Sequence, residues 1–351
     1  MKHLLILGRD PSLSIEELYS YFKARNIKFK ILKEYKDALI VDLPSLDFKK
    51  VIKELGGIQK IAQEMGDNLY NGKENKLKYA ISNYTSGDIT EIKAELKAYF
   101  KSLGVKAMLK KSHHKQAFLT PSEAQNVLEI LVYDDFIGKT VAVSNPQGYK
   151  LRDLKRPVQE RLHSTSIRLA KIMINLSGAK KGDRMLDPFC GIGTFLQEGL
   201  LMGIECYGLD KKAERIKATK KNIDWLRKTY NITYSFKLFL GDATNLSSHV
   251  KKVDYIVSEP FMGPFLKKLP TTQEVRKIIA MLEPMYKAVL KEIKKVRAKR
   301  AVIVVPVFLA RSRKKYFLDL DLKDFRVKSF DYETPTSRLR RQILVLEPKH
   351  L

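Results

Sequence analysis

The stretch Asp187-Pro188-Phe189-Cys190-Gly191-Ile192-Gly193-Thr194-Phe195 constrains this chain more than any other. Met185 and Leu186 lead into it, and an apolar, helix-compatible run from Phe195 to Met202 follows, closed by Gly203. A strand, a glycine turn and a helix are the natural reading. Glycines let the backbone approach a ligand where a side chain would collide. Asp210 stands nineteen residues after Gly191, at the end of a second short apolar run, Ile204 to Leu209. A carboxylate there suits ribose hydroxyls, as in nucleotide-binding βαβ units. The next glycine after Gly193 comes six residues on, so the stretch is not the Gly-x-Gly-x-x-Gly dinucleotide pattern.

The same alternation continues towards the C-terminus. Lys237 to Leu240 runs into Gly241-Asp242-Ala243, and Val253 to Val257 runs into Ser258-Glu259-Pro260-Phe261. A long helix covers roughly Thr272 to Lys295, and the apolar Ala301 to Phe308 follows it. Phe325 to Tyr332 and Gln342 to Leu346 then close the sheet as a hairpin. Alternating strands and helices predict an α/β fold with a doubly wound sheet, whose ligands sit at the carboxyl ends of the strands. The glycine turn, Asp210, Asp242 and residues 258–261 all fall at such ends. The Asp-Pro-Phe-Cys-Gly sequence resembles motif I of the S-adenosylmethionine (SAM)-dependent methyltransferases, in the form found among RNA and DNA base methylases. The resemblance implies SAM as cofactor, with Asp187, Cys190, Gly191, Gly193 and Thr194 at its amino-acid end. Asp210 would then take the ribose, and Asp242 with Ala243 the adenine.

Ser258-Glu259-Pro260-Phe261 stands where amino methylases carry (Asp/Asn)-Pro-Pro-(Tyr/Phe). In that motif a polar side chain and a proline carbonyl accept the protons of an exocyclic amine, and the aromatic ring stacks on a flipped base. Aligned on Pro260-Phe261, Ser258 occupies the acid's position and Glu259 replaces the first proline. Glu259 therefore offers a carboxylate acceptor one residue out of register. The resemblance implies Ser258, Glu259, Pro260 and Phe261 as the catalytic group.

The front half reads as smaller α+β units. Lys2 to Leu7 is strand-like, Ser14 with Glu17 predicts a capping box opening a helix to about Ala24, and two further strands and a short helix reach Gly56-Gly57. Residues 58–145 predict a strand at Lys78 to Ser82, then an amphipathic helix opened by Asp88 and Glu91, then strands around 105–109, 129–133 and 139–144. Between them lies a basic turn, Lys110-Lys111-Ser112-His113-His114-Lys115, either a phosphate contact or a solvated tip. No third ligand stands near its histidines, so no metal is expected. This layout, with Phe136-Ile137-Gly138 late in it, resembles the THUMP-containing RNA-modifying enzymes, which hold the acceptor end of tRNA. Residues 146–164 read as a linker, being rich in Pro, Gly and charge. Within it Arg152-Asp153-Leu154-Lys155-Arg156-Pro157 resembles the Arg-Asp-x-x-Arg-Pro segment of the tRNA guanine-10 N2-methyltransferase family. The Ser166 to Leu176 helix matches that family's helix before motif I.

The expected organisation is an N-terminal ferredoxin-like domain over 1–57, a THUMP-like RNA-binding domain over 58–145, the linker, and a Rossmann-like methyltransferase domain over 165–351. A net charge of +27 favours a polyanionic partner. The excess is uneven: residues 1–150 carry 24 basic and 18 acidic side chains, residues 151–351 carry 42 and 21. Solvated lysines of a heat-adapted or AT-biased proteome would also raise the number. Two cysteines are too few for a disulfide framework or a structural zinc site, and no apolar run approaches a membrane span. A cytoplasmic protein is expected. By resemblance, it is an enzyme that transfers methyl groups from SAM to the N2 amine of a tRNA guanosine, at position 10, as a monomer or with a small activator subunit. A DNA adenine-N6 or cytosine-N4 methylase and a noncatalytic RNA-binding protein are the rival readings. Arg338, Arg340 and Arg341 are expected to touch RNA phosphates or to be exposed.

Overall fold

Short apolar runs ending in Gly, Asp or Ser become parallel strands when helices cover both faces of the sheet they form. The computed structural model describes residues 1–66, 69–70, 72, 75–85, 87–112, 117–160, 165–332 and 339–349. It divides into two compact units, one of Met1–Ile15 with Asn26–Lys150, the other of Glu16–Arg25 with Leu151–Leu351.

The first unit contains β1 (Lys2–Leu7), the opening of α1 (Pro11–Ala24), β2 (Lys30–Glu34), β3 (Ala38–Asp42), α2 (Phe48–Glu54) and β4 (Ile58–Glu64). β5 (Lys76–Asn83), α3 (Thr90–Ser102), β6 (Lys106–Leu109), the single turn α4 (Pro121–Ala124), β7 (Leu128–Tyr133) and β8 (Phe136–Val143) follow. One sheet runs through all of it, in the order β2-β3-β1-β4-β8-β7-β5-β6. It crosses residue 57 without a break, because β4 pairs with β1 on one side and with β8 on the other. A buried ion pair sits under this continuity. Lys60 Nζ meets Glu129, which also accepts from Ser82 Oγ and, at 2.8 Å, from Thr140 Oγ1. Two local expectations fail. α1 begins at Pro11, whose fixed φ suits a first helical position, so Ser14 is inside the helix and its hydroxyl donates to the Asp10 carbonyl at 2.8 Å. Residues 146–155 form a helix, α5 (Pro146–Lys155), where a linker is expected. His113, His114 and Lys115 of the basic turn lie outside the described residues.

The second unit is the doubly wound one. Its elements are α6 (Ile167–Ser177), β9 (Arg184–Asp187), α7 (Thr194–Leu201), β10 (Glu205–Asp210), α8 (Ala213–Tyr230), β11 (Phe236–Leu240), α9 (Leu246–His249) and β12 (Tyr255–Ser258). α10 (Thr272–Lys295), β13 (Arg300–Leu309), β14 (Lys315–Tyr316), β15 (Phe325–Tyr332) and β16 (Leu339–Pro348) complete it. The sheet order is β11-β10-β9-β12-β13-β16-β15, parallel from β11 to β13 and antiparallel beyond, with β14 on β13. Chain order therefore reverses between β9 and β12, which opens a crevice at their carboxyl ends. Leu186, Leu209, Ile256 and Ile303 from four adjacent strands lie in one core with Tyr286 and Leu290 of α10, all at or near zero exposure. α6, capped by the Ser166 hydroxyl on Leu169 N at 3.3 Å, is buried at nearly every position. No helix among the described residues is long and apolar enough to cross a membrane.

Candidate active site

The four strand ends of the crevice carry the residues the sequence singled out: β9 ends at Asp187, β10 at Asp210, β11 just before Gly241-Asp242 and β12 at Ser258. A cleft of about 1200 Å³ opens over them, lined by Gly191, Asp210, Asp242, Ala243, Glu259, Pro260 and Phe261. Asp187, Cys190, Gly193, Thr194 and Ser258 lie in the wall beneath, and all five are buried.

The glycine turn owes its shape to two left-handed residues, Gly191 at φ 53° and Gly193 at φ 89°. A side chain at Gly193 would meet Thr219 Cγ2 of α8 at 2.9 Å, whereas one at Gly191 would meet nothing nearer than 3.9 Å. Gly193 thus brings α7 against α8, and Gly191 leaves the cleft wall open. Both N–H groups are already engaged: Gly191 donates to Asp210 Oδ2 at 3.1 Å and Gly193 to the Cys190 carbonyl at 2.7 Å. The turn therefore contributes space more than donors. Asp210 is further fixed by the Lys212 N–H on Oδ1 at 3.0 Å. Asp242 caps the next turn through Thr244 N and Oγ1, at 2.9 and 2.8 Å, and the Thr244 N–H holds its carboxyl below the usual carboxylate range. Thr194 accepts from Arg156 Nη1 at 3.0 Å, and burial pushes the Cys190 thiol up.

Asp187 is the floor of the site. Its Oδ1 accepts from Ser258 Oγ at 2.6 Å and Phe189 N at 3.0 Å. Burial pushes its carboxyl up to about 7 against these two donors, and the charges of Asp210 and Glu259 add to the rise. Ser258, grouped with the catalytic residues on sequence, is a buried partner of Asp187 and does not line the cleft. Because the folded value lies above the ordinary 3.8, Asp187 favours folding at low pH, and that contribution is lost as pH rises through about 7. A move from 3.8 to about 7 corresponds to about 4 kcal/mol. Asp187→Asn keeps an acceptor for both donors and cannot ionise. Its stability relative to the natural protein is expected to improve between pH 5 and 8 in urea unfolding; a difference independent of pH would refute the buried neutral carboxyl.

Glu259 begins the loop after β12 and carries the contacts that sequence reasoning did not foresee. Its Oε1 accepts from Arg341 Nε at 2.8 Å, its Oε2 from the Thr165 hydroxyl, and its side chain is 8% exposed. Arg341, expected on RNA or in solvent, instead turns inward from β16. Arg338 lies outside the described residues. Phe261 is 53% exposed at the cleft mouth, near Phe265 and Met281, and its carbonyl accepts from the buried Tyr286 hydroxyl at 3.3 Å. On the opposite rim Arg215 of α8 pairs with Glu160. Behind the site Arg152 of α5 grips Glu198 of α7 with two hydrogen bonds, of 2.6 and 2.8 Å.

One cleft thus brings together an acid at the end of β10, a glycine turn after β9 and an acid-Pro-Phe loop after β12. Residues 156–313 match the UPF0020 family, the RMKL-like methyltransferase domain. The matched segment lies wholly within the second unit, the methyltransferase unit. Over 281 residues the chain is 29% identical to the tRNA (guanine(10)-N2)-dimethyltransferase of Methanothermobacter thermautotrophicus, covering 75% of this chain and 78% of that one. The crystal structure of TrmN from Thermus thermophilus superposes with a TM-score of 0.53 at 16% identity, covering 99% of this chain and all of that one. SMU.472, solved with SAH, superposes at 0.50 with 12% identity, covering 99% and 98%. At such identities these two structures speak for the fold. In the methyltransferase unit the family segment begins at Arg156, beside the Arg152–Glu198 pair.

Proposed function

We propose that the chain is a SAM-dependent tRNA methyltransferase acting on the exocyclic N2 amine of a guanosine, at position 10. The observation that carries the reading is a single cleft holding Asp210, Asp242 and Glu259-Pro260-Phe261 together. The archaeal relative's name supplies tRNA, guanine and the position.

The residues present fit SAM: the wall at Gly191 is open, two carboxylates stand at separate strand ends, and the cleft is large enough for a nucleoside and a base. Asp210 and Asp242 would hold the ribose diol and the adenine amine, with Ala243 beside the ring, and the Gly191 turn would border the amino-acid end. When bound, SAM supplies an electrophilic methyl group. Everything else falls to the chain's own side chains. Guanine presents N1–H and N2–H donors side by side, both nitrogens being bonded to C2, and a carboxylate accepts from both, whereas adenine offers an acceptor at N1 and would oppose it. Glu259 uses one lone pair of each oxygen on Arg341 and Thr165, which leaves one on each for the base. With one amine proton held by Glu259 and the other by the Pro260 carbonyl, its lone pair is localised on nitrogen and less delocalised into the ring. The amine loses one proton as it is methylated, and Glu259 receives it. Phe261 stacks on the base after it leaves the helix stack. The first unit, with its ferredoxin-like and THUMP-like segments, holds the acceptor end of the tRNA.

Asp210→Ala is expected to weaken SAM binding about 100-fold in calorimetry, since two hydrogen bonds to a charged group are lost; binding within threefold would remove Asp210 from the cofactor site. The reading itself is tested by offering methyl-labelled SAM with unmethylated tRNA and, separately, with duplex DNA. Label in tRNA is expected. Label in DNA alone, or in neither while SAM binds, overturns it.

A further inference from the structure

Glu259 carries one more methylene than the aspartate or asparagine of the usual amino-methylase loop, and so one more rotatable bond to be fixed. An unrestrained glutamate side chain loses rotamer entropy on being held in one position. The structure holds this one from two directions. Arg341 Nε donates to Oε1 at 2.8 Å from β16, 82 residues away in sequence. The Thr165 hydroxyl donates to Oε2 from the residue before the α6 cap, 94 residues away. Both partners are largely out of solvent, with the Arg341 side chain 18% and Thr165 8% exposed. Arg341 lines the same cleft as Glu259 and Phe261, so its charge faces the site instead of the outer surface. The surroundings also need a cation. The Asp187 carboxyl already feels the charges of Asp210 and Glu259, and a third carboxylate in that space without a counter-charge would be costly.

We propose that Arg341 and Thr165 are positioning residues that together fix the Glu259 carboxylate for the substrate amine, and that neither is an RNA-phosphate contact. The proposal rests on the reading of Glu259 as the amine's acceptor. One oxygen is aimed by a charged donor and the other by a neutral one, so the carboxylate plane is set while a lone pair on each oxygen stays available. Loss of either donor lets the carboxylate swing, and misplacement by about 1 Å costs up to about 100-fold in rate.

The test uses the full chain, with steady-state kinetics on unmethylated tRNA at saturating SAM and calorimetry for SAM affinity. The variants are Arg341→Gln, Arg341→Lys, Thr165→Val and Thr165→Ser, each alone and in a Glu259→Gln background. Melting curves confirm that each is folded, and Thr165→Val and Thr165→Ser change a single small group. Expected are 10- to 100-fold losses in kcat for Arg341→Gln and Thr165→Val, with KM for tRNA and the SAM Kd within threefold. Thr165→Ser restores most of the activity, and Arg341→Lys falls between Arg341→Gln and the natural protein. In the Glu259→Gln background the same substitutions add less than twofold, because the group they aim is gone. A raised KM for tRNA at unchanged kcat would make Arg341 an RNA contact and overturn the clamp. So would losses that multiply fully with Glu259→Gln, or a serine at 165 no better than valine. Glu259→Gln turning over like the natural protein would instead overturn the acceptor reading, and the clamp with it.

Discussion

Glu259→Gln is expected to lower turnover on tRNA by about 100- to 1000-fold while SAM affinity stays within threefold. The amide preserves size and shape, so the change isolates charge. Glutamine has one acceptor oxygen where glutamate has two, and its NH₂ would face a donor, either Arg341 or the Thr165 hydroxyl. It also cannot take up the proton that the methylated amine releases. Asp210 and Asp242, which we propose hold the cofactor, belong to other strand ends, β10 and the turn after β11, and are untouched by it. Glu259→Ala is expected to lose as much turnover or more, with some added cost in stability because Arg341 is left without its partner. Unchanged turnover in both variants would remove Glu259 from the mechanism.

The second large effect concerns folding. Arg152→Ala is expected to destabilise the methyltransferase unit by about 3–5 kcal/mol, because it strands Glu198 as an uncompensated buried charge. The two side chains are 8% and 0% exposed and meet through Arg152 Nε and Nη2. At the usual scaling for a domain of this size, the midpoint of thermal unfolding should fall by roughly 10 °C. The double variant Arg152→Met with Glu198→Leu should recover much of the loss, since an apolar pair of similar volume avoids the desolvation of both charges. Calorimetry of the three proteins decides it. A single variant that melts with the natural protein would mean that water reaches Glu198 in the fold.

The methyltransferase unit was legible where local signals and topology agree. Strand, glycine turn and helix are neighbours in the chain, and the carboxyl ends of parallel strands are marked by the Gly, Asp and Ser that stop them. That is why Gly191, Asp210, Asp242 and Glu259-Pro260-Phe261 meet at one cleft. The exposed and the buried members of the motif could not be told apart by spelling. Ser258 and Glu259 are adjacent, yet one hydroxyl turns down to Asp187 and the next carboxylate turns towards the cleft. The Glu259 contacts were invisible for another reason: Thr165 and Arg341 are 94 and 82 residues away, and an arginine in a basic C-terminal run gives no sign of facing inward.

The front half was legible element by element and not as a sheet. β4 pairs with β1 and β8, and the latter lies more than 70 residues on, so continuity across residue 57 is a non-local fact. The helix α5 was hidden by Pro146 and Gly148, which usually mark loops. Here the proline opens the helix, and the Gly148 N–H donates to Asn145 Oδ1 at 2.8 Å, which caps the turn. The burial of Arg152 within the same helix, and of Arg156 just past its end, explains why so charged a stretch is ordered.

The most direct test of the account is the identity of the labelled nucleoside. Unmethylated tRNA is incubated with methyl-labelled SAM and the chain, digested to nucleosides, and resolved by chromatography and mass spectrometry. Label is expected in N2-methylated guanosine, with its near disappearance in Glu259→Gln. Label in a methylated adenosine or cytidine, or in guanosine at an atom other than N2, would contradict it.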